Sequence, residues 1–436
     1  MIFYDREQEI AQLQQIDSMS ESNANFTVII GRRRTGKTTL ITKAFENKRY
    51  LYFFISNNSE QMLCNEFQQQ AEQLLNIHFY GNIDRFAKLI EELMIFAKKE
   101  QLTIVIDEFQ RLANIRSGIM SELQQVWDKH NGTARIHLIA CGSIYSMMKR
   151  IFENSNEPLF GRCTAKMTVR PFCINVLKKI LRDYNPAYTP EDLLMLYAIT
   201  GGVAKYVALL MDNKAVTKEL MLQYVCQPTS VFLSEGVDLL IGEFGKHFSI
   251  YYSIMQLIAN GKTSQSEIDS IIKKNTGRYL DTLENEYTLI NRRRPMFSKP
   301  TSQGIKWSIG DCFLRFWFRF IEPNRTLIER DKYALLKEYI DDNYTQYSGT
   351  VLEQYFRQLY GEKERVTEVS NWWDKKGENE IDLIAIEGFD KRITVAEVKR
   401  NIRKYNEEEL KRKFALIDYN FSDFTIVFRG LSLDDM

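Results

Sequence analysis

The sequence predicts an α/β protein built on a mainly parallel sheet, and three stretches carry that prediction. An apolar, β-branched run at residues 26–30 leads into a glycine-bounded turn and then into a helix-forming segment. A second apolar run at residues 102–106 ends in two carboxylates, and a third at residues 136–141 ends in Gly-Ser. Uninterrupted apolar strands are typical of a parallel sheet covered by helices on both faces. We therefore expect about five strands alternating with helices in residues 1–170, as a three-layer sheet domain.

The turn after the first run is the segment Gly31-Arg32-Arg33-Arg34-Thr35-Gly36-Lys37-Thr38, which fits the Walker A pattern in its required strand–loop–helix context. Gly31 and Gly36 permit a backbone that points successive N–H groups at phosphate oxygens, a geometry that a Cβ would obstruct. Lys37 is placed to contact the β- and γ-phosphates, and Thr38 to bind Mg²⁺. The sequence therefore predicts nucleotide binding. The predicted contact residues of this loop are Gly31, Arg34, Thr35, Gly36, Lys37, Thr38 and Thr39.

Asp107 and Glu108 follow the second apolar run, at the sheet edge where parallel sheets bind their ligands. We expect Asp107 to hold Mg²⁺ through water and Glu108 to polarise the water that attacks the γ-phosphate. Ser143 follows the third run. Either it senses the γ-phosphate from the strand end or it caps the helix that comes next. Both interpretations of Ser143 stand at this point.

Two arginines outside the loop are further candidates for the same site. Arg162 follows Pro158-Leu159-Phe160-Gly161 and is a candidate to approach the phosphates, in its own chain or from a neighbouring subunit. The alternative is an ordinary surface arginine. Arg6 precedes the first predicted helix, where it lies either beside a bound base or in solvent as a helix charge.

Composition limits the class of protein. A chain of 436 residues is longer than one ordinary hydrophobic core, so two or three domains are expected. Hydrophobic residues make up 44% and charged residues 26%, which is typical of a globular protein. The net charge of +1 excludes a globally basic nucleic-acid coat. Any nucleic-acid binding must therefore come from local basic patches.

The sequence also disfavours a membrane protein, a disulfide-bonded protein and a zinc protein. The N-terminal residues lack the basic and apolar segments of a secretory signal, and the apolar stretch Phe313–Ile321 is short and contains Arg315 and Arg319. The six cysteines show no CxxC pairing and do not cluster with the four histidines, so neither disulfides nor a zinc site are expected. We expect a cytoplasmic protein with no membrane association.

Helical periodicity dominates after the predicted sheet. Residues 171–244 are interpreted as a helical lid, and residues 245–325 have the helix–helix–helix–hairpin order of a winged helix. Its basic residues favour contact with DNA phosphates, whereas the acidic residues of its third helix oppose it. DNA contact by the wing and intramolecular packing remain open alternatives. The basic residues concerned are Lys273, Lys274, Arg278 and Arg292-Arg293-Arg294; the acidic ones are Asp281, Glu284 and Glu286.

The last predicted domain, residues 326–436, contains a second candidate site on a hairpin. Strands at 381–386 and 393–399 flank a turn at Phe389-Asp390. If the turn is centred between those two residues, Asp382 lies opposite Glu397. Two carboxylates facing each other across a ladder repel, so a purely structural hairpin should avoid them. A divalent cation between them would turn that repulsion into coordination.

Two further residues extend this hairpin site. The period of two places Lys399 on the face of Glu397, where it can orient or activate a water molecule. Glu353, on the preceding predicted helix, is a third candidate metal ligand beside Asp382 and Glu397. Together they have the parts for metal-assisted phosphodiester hydrolysis.

The motifs, taken together, resemble two known families. The first half resembles the archaeal-type P-loop ATPases, relatives of STAND signalling and origin-recognition ATPases. The C-terminal region resembles the PD-(D/E)XK nuclease-like, restriction-endonuclease-like α/β domain often fused to them. The segments that carry the first resemblance are Phe3-Tyr4-Asp5-Arg6-Glu7, Gly31 to Thr38, Ile106-Asp107-Glu108-Phe109, Gly142-Ser143, Pro158 to Arg162 and Thr200 to Tyr206. The residues that carry the second are Glu353, Asp382, Glu397 and Lys399, with Asn371-Trp372-Trp373-Asp374 upstream.

The resemblance implies an ATP- and Mg²⁺-dependent ATPase. The leading hypothesis is an enzyme whose nucleotide state repositions its C-terminal half, with DNA as the target and nuclease activity left open. The alternative is a switch that controls assembly with a protein partner or with further copies of the chain, in which the nuclease-like fold is catalytically inert. Domains of this nuclease-like kind can lose their activity and keep their fold. The residues that carry the resemblance are compatible with either case.

Overall fold

The structure is a computed structural model that describes residues 1–244, 248–298, 304–417, 419 and 421–436. It divides into two compact units, Asp5–Arg170 and a second unit formed by Met1–Tyr4 with Pro171–Met436. The predicted lid, winged-helix and C-terminal segments all belong to the second unit. His247, where the first helix of the predicted winged helix was expected to start, lies outside the described residues.

The unit Asp5–Arg170 contains a five-stranded parallel sheet in the order β2-β3-β4-β1-β5. This confirms the predicted parallel α/β fold. The three central strands are buried along their whole length, as their uninterrupted apolar sequences predict. The strands are β1 Asn25–Ile30, β2 Leu51–Phe54, β3 Leu102–Asp107, β4 Ile136–Gly142 and β5 Ala165–Thr168.

Helices cover both faces of this sheet because alternate strand residues point to opposite sides. On one face Phe26 packs against Phe109, Trp127 and Phe152. On the other face a separate core forms around the helix that follows the phosphate loop. The helices are α1 Glu7–Met19, α2 Lys37–Ala44, α3 Glu60–Leu75, α4 Phe86–Phe96, α5 Leu112–Ile115, α6 Ile119–His130 and α7 Tyr145–Glu153.

The second unit is mainly helical up to residue 361, around one large apolar core that includes Trp317, Tyr206 and Tyr355. Among the described residues, no helix has both the length and the apolar character needed to cross a membrane. Its helices are α8 Ile174–Tyr184, α9 Pro190–Thr200, α10 Ala204–Asp212, α11 Lys218–Val225, α12 Glu235–Phe244, α13 Phe248–Ala259, α14 Gln265–Ile272, α15 Gly277–Asn285, α16 Cys312–Phe316, α17 Arg325–Glu329 and α18 Tyr333–Gly361. An antiparallel hairpin, β6 Ile290–Arg293 and β7 Lys306–Ile309, lies between α15 and α16.

A four-stranded sheet in the order β11-β10-β9-β8 completes the chain. The pairs β8–β9 and β9–β10 are antiparallel, and β10–β11 is parallel. Leu383 pairs with Ala396, so the same register brings Asp382 opposite Glu397, which confirms the predicted hairpin register. The elements are β8 Glu368–Trp373, β9 Glu380–Glu387, β10 Arg392–Val398, α19 Glu407–Phe414 and β11 Thr425–Leu431.

Candidate functional site

The phosphate loop joins β1 to α2 and is shaped by left-handed backbone. Gly36, directly before α2, has φ 91°, and Arg34 has φ 72°. A Cβ on Gly31 would lie 2.6 Å from the backbone oxygen of Val169, so the close approach of β5 requires glycine there. The local turn therefore forms as the two glycines predict.

Lys37 lies inside this loop with only 8% of its surface exposed. Its Nζ donates hydrogen bonds to the carbonyl oxygens of Gly31, at 2.6 Å, and Arg32, at 2.9 Å. Burial lowers the pKa of Lys37, and the nearby Asp107 and Glu108 oppose that change. The loop thus holds a buried ammonium group on its own carbonyls, next to the N-terminus of a helix, which is where phosphate groups bind in this geometry.

Asp107 ends β3 and faces the loop. Its Oδ2 lies 3.5 Å from the Thr38 hydroxyl and also accepts a hydrogen bond from the Tyr52 hydroxyl on the neighbouring strand β2. Its Oδ1 accepts from the backbone N–H of Glu108 at 2.8 Å. Burial and the Asp107 carboxylate raise the pKa of Tyr52, so its hydroxyl stays protonated and donating. The donors that the structure gives Asp107 are neutral.

Glu108 leaves the strand in a left-handed conformation, with φ 55°. Ser143 donates its hydroxyl to both carboxylate oxygens, at 2.9 and 3.1 Å, and Gln110 donates its amide at 2.6 Å. The alternative that Ser143 caps the next helix is wrong, because α7 begins at Tyr145 with Ile144 as its cap and no side-chain capping bond. Its contact with the γ-phosphate remains a prediction.

The residues of this site suit Mg²⁺ and a polyphosphate. The Thr38 hydroxyl and the Asp107 carboxylate converge as oxygen ligands, and Mg²⁺ is commonly bound by one or two protein oxygens together with substrate phosphates and water. Loop N–H groups and Lys37 supply the complementary positive charge. A five-stranded parallel sheet with this loop after β1 and these two carboxylates after β3 defines a P-loop ATPase domain.

Arg6 is not the solvated helix charge that one alternative describes. It is 7% exposed, donates to the backbone oxygen of Arg170, and pairs with Glu9 at 3.1 Å and Asp5 at 3.7 Å. Its internal bonds hold the start of α1 against the end of β5. Contact with a nucleotide base stays a prediction.

Arg162 lies at the wrong edge of the sheet to reach the phosphates of its own chain. It precedes β5, whose Ala165 pairs with Thr27 near the N-terminal end of β1. At about 3.3 Å per residue, Thr27 is about 13 Å along the strand from Gly31. Arg162 is bound instead to Asp128, with Nε at 3.3 Å and Nη2 at 3.1 Å. The prediction of an approach in the same chain is therefore wrong, because the loop after α7 returns the arginine to the opposite edge.

The C-terminal candidates come together around the β9–β10 hairpin. Lys399 Nζ lies 2.8 Å from Glu397, and Lys413, on α19, lies 3.2 Å from both oxygens of the same carboxylate. Asp382 Oδ2 accepts the backbone N–H of Val398 at 2.8 Å. Although burial opposes it, the hydrogen bond to Glu397 raises the pKa of Lys399. Glu397 is thus compensated by two ammonium groups.

Glu353 approaches the hairpin from α18. Arg357, one turn further along, lies 3.4 Å from Glu353 and donates to the Asp382 carbonyl at 2.8 Å. Burial raises the pKa of Glu353 despite Arg357, and burial together with Glu353 raises the pKa of Asp382 to about 7. Burial and mutual repulsion therefore favour a proton on this pair.

The predicted metal site of Glu353, Asp382 and Glu397 is not formed as a set of three ligands. Within the ranges that the structure describes, no group of three or more His, Cys, Asp or Glu side chains is arranged to hold a metal ion. The reason is charge compensation. Glu397 is bound to its two lysines and Glu353 to Arg357, so each of these carboxylates is already compensated by a cation of the chain.

Tyr52 and Gln110 are the contacts that sequence reasoning missed. Tyr52 stands in an apolar strand and gives no local signal; only the strand order, with β2 beside β3, brings it to Asp107. Gln110 lies two residues after Glu108, where the left-handed turn brings its amide back to that carboxylate.

Comparison with known proteins supports this class. Residues 3–210 match the family described as an ATPase domain predominantly from Archaea. Residues 317–412 match a family described as archaeal and bacterial proteins of unknown function. These matches assign the first family to residues 3–210 and the second to residues 317–412, and neither match covers half of the chain.

Individual proteins are also similar to this chain. An uncharacterized protein of Methanocaldococcus jannaschii is 28% identical over 431 residues, which cover 95% of this chain and 92% of that protein. A Walker-type ATPase of Pyrococcus abyssi has 16% identity and a TM-score of 0.53, covering 73% of this chain and 96% of its own. The ORC2 protein of Aeropyrum pernix, solved in ADPNP–ADP complexes, has 16% identity and a TM-score of 0.50, covering 76% and 95%. At such identities these two structures show a shared fold.

Proposed function

We propose that this protein is a Mg²⁺-dependent switch that binds and hydrolyses ATP and acts on DNA through its C-terminal half. The observation that carries the ATPase part is the juxtaposition of the Thr38 hydroxyl and Asp107 Oδ2, 3.5 Å apart, beside the buried Lys37. The nucleotide complexes of the Aeropyrum pernix protein, which shares the fold, support a nucleotide as the ligand. The absence of a guanine-reading Asn-Lys-x-Asp segment favours ATP over GTP.

Each side chain has a distinct part in this reaction. The loop N–H groups bind the phosphates, and Lys37 exchanges its carbonyl partners for phosphate oxygens. Thr38 and Asp107 would hold Mg²⁺, which neutralises charge on the phosphates when bound. Glu108 accepts a hydrogen bond from the attacking water and orients it. Ser143 and Gln110 fix the direction of the Glu108 carboxylate.

Substitution of Glu108 tests the hydrolytic part. We expect Glu108→Gln to bind ATP with near wild-type affinity and to release phosphate at least about 100-fold more slowly, because the amide cannot accept the proton of the water. Steady-state phosphate release and equilibrium ATP binding measure the two effects. Glu46→Gln, at the end of α2 with an exposed side chain, is the matched control and should behave as wild type. Turnover by Glu108→Gln at the wild-type rate would refute the assigned role.

The C-terminal sheet supports action on DNA through its order of elements. Helix α18, three antiparallel strands, α19 and a parallel fourth strand bring Asp382, Glu397 and Lys399 to one hairpin. We therefore also propose that this domain is nuclease-like and that the segment from α13 to β7 is a winged helix.

A second candidate function is a nucleotide-controlled assembly switch whose nuclease-like fold is inert. The observation that favours it is the compensation of Glu397 by Lys399 and Lys413, two cations that would compete with a metal ion for that carboxylate. A nicking assay with Mg²⁺ separates the two functions, using wild type and Lys399→Ala with and without ATP. Cleavage that is lost in Lys399→Ala supports the nuclease; absence of cleavage on any DNA or RNA, with intact ATP turnover, supports the assembly switch.

A further inference from the structure

The β6–β7 hairpin, the wing of the predicted winged helix, is attached to the C-terminal sheet. Beyond the end of β6, the Met296 backbone N–H donates to the Asn371 carbonyl on β8 at 2.9 Å. The Met296 side chain belongs to the apolar cluster of Trp372 and Ile381. Lys306, which pairs with Arg293 across the hairpin, has its Nζ 4.0 Å from Glu380 on β9. This end of the hairpin therefore lies beside the strand that carries Asp382.

Two arginines from other elements, Arg357 and Arg315, lie near Arg293. Arg357, on α18, is bonded to the Asp382 carbonyl and to Glu353. Arg315, on α16, donates to Gln354, the neighbour of Glu353 on α18. Arg293 interacts electrostatically with each of these two arginines. Burial lowers the pKa of Arg293 to about 10, Arg357 and Arg315 contribute to that shift, and Glu353 and Glu380 oppose it.

Positive charge in this space is not fully compensated. In the part of the chain that the structure describes, Arg293 has no side-chain hydrogen bond or ion pair, although it is largely buried. Among the same described residues the buried Nε of Arg315 also has no hydrogen-bond acceptor, whereas its Nη atoms donate to Gln354 and Cys312. A cation withdrawn from water and placed near other cations costs free energy unless an anion or a hydrogen-bond acceptor compensates it.

We propose that Arg293, Arg315 and Arg357 form a subsite that binds a phosphodiester group of a nucleic-acid strand, next to the Asp382–Glu397 hairpin. The planar fork of arginine suits phosphate oxygens, and three forks from three elements fix the position of one group. This inference rests on the proposed function of the C-terminal half. In this arrangement Arg293 belongs to the surroundings of the candidate catalytic hairpin and not to an outward-facing wing. The three arginines are the groups that bind the phosphate of the nucleic-acid strand.

A nucleic-acid strand fits this position better than a free nucleotide. The chain already has a phosphate loop for nucleotides in the unit Asp5–Arg170, whereas the arginines flank the hairpin that carries Lys399. Lys399 is 36% exposed and interacts electrostatically with both Asp382 and Glu353, so a second positive group lies along the same hairpin for a neighbouring phosphate. Successive phosphates of one strand require such a series of cations.

The test is equilibrium binding of fluorescein-labelled DNA and RNA, single- and double-stranded, to the full-length protein in EDTA, followed by anisotropy at several salt concentrations. We expect Arg293→Gln to lower the affinity about tenfold at about 0.1 M salt and to reduce the salt slope by about 1. Arg293→Lys should recover part of the affinity because it keeps the charge. Inorganic phosphate and ADP should compete weakly, which separates a strand from a free anion.

Two controls keep the outcome decisive. Arg330→Gln removes an exposed arginine directly after α17, outside the candidate DNA-contacting residues, and should bind within about twofold of wild type. Thermal unfolding of Arg293→Gln should match or exceed that of wild type, because the arginine loses no hydrogen bond or ion pair to any described residue. The subsite is refuted if Arg293→Gln binds nucleic acid as tightly as wild type and Arg330→Gln do, or if wild type binds no nucleic acid. The first of these outcomes leaves action on DNA intact; the second removes both proposals together.

Discussion

Two regions of this molecule place Asp, Glu and Lys side chains together, and they differ in how the carboxylates are compensated. At the phosphate loop, Asp107 accepts hydrogen bonds from hydroxyl and backbone donors, which leave its charge in place. At the β9–β10 hairpin, Glu397 is compensated by Lys399 and Lys413. The first arrangement suits a divalent cation that arrives with its substrate. The second is neutralised by the chain itself, so similar residue types have different chemical capacities.

The largest difference between the two regions should appear in ATP turnover. We expect Asp107→Ala to reduce phosphate release at least about 100-fold, because it removes the charged oxygen that would hold Mg²⁺. Asp382→Ala makes the equivalent change at the hairpin and should keep turnover within about twofold. Phosphate release at saturating ATP and Mg²⁺ measures both. Equal losses in the two variants would mean that the regions do not differ in this way.

Removing the compensated carboxylate should destabilise the C-terminal sheet. In Glu397→Gln the two lysines lose the carboxylate that they share, and we expect a loss of about 1–3 kcal/mol in the free energy of unfolding. Glu408→Gln, on the exposed side of α19, should change it by less than about 0.5 kcal/mol. Denaturant unfolding measures both variants. A neutral or stabilising effect of Glu397→Gln would show that the lysines do not depend on this carboxylate.

The pH dependence of stability should distinguish Asp382 from an ordinary surface carboxyl. Burial and the neighbouring Glu353 raise its pKa to about 7 in the folded protein, above the value of about 4 that an unfolded chain has. Between these two pH values Asp382 binds a proton in the folded state that it does not hold in the unfolded chain. The stabilisation from this proton is therefore fully present below about pH 4 and is lost as the pH rises to about 7.

Denaturant unfolding of wild type and Asp382→Asn across this pH range gives the measurement. The stability of wild type relative to the variant should fall as the pH rises. A difference that stays constant, or that increases with pH, would contradict the raised pKa.

Tyr52 should have the smallest effect at the phosphate loop. Its hydroxyl orients Asp107 but does not carry the charge, so we expect Tyr52→Phe to lower turnover about three- to tenfold and to raise the Mg²⁺ concentration needed for half-maximal rate. Tyr50→Phe, two residues earlier and packed on Phe45, is the control. A loss of turnover as large as that of Asp107→Ala would show that Tyr52 takes a direct part in ATP hydrolysis.

The sequence predicted the residues of both regions better than their charge balance. The phosphate loop, Asp107 and Glu108 were predictable because each follows an apolar strand and parallel strands share one carboxyl edge. Arg162 was misplaced because the path of a loop decides which edge it returns to. Tyr52 was missed because strand order is not a local property.

The hairpin shows the same limit in another form. The turn fixed the register of Asp382 and Glu397, since the side-chain period of a strand is two. Nothing in that spacing states that Lys413, from a later helix, would compensate Glu397, or that Arg293 would face the C-terminal sheet. Such neighbours depend on tertiary packing, which brings together charges far apart in the chain.

Calorimetric titration of ATP into the full-length protein, with and without Mg²⁺, measures whether the phosphate loop binds nucleotide. We expect saturable binding by wild type that tightens when Mg²⁺ is present, and a loss of at least about 100-fold in affinity for Lys37→Ala, whose buried ammonium group would contact the phosphates. Absence of heat with folded wild-type protein, or equal affinities for wild type and Lys37→Ala, would contradict this expectation.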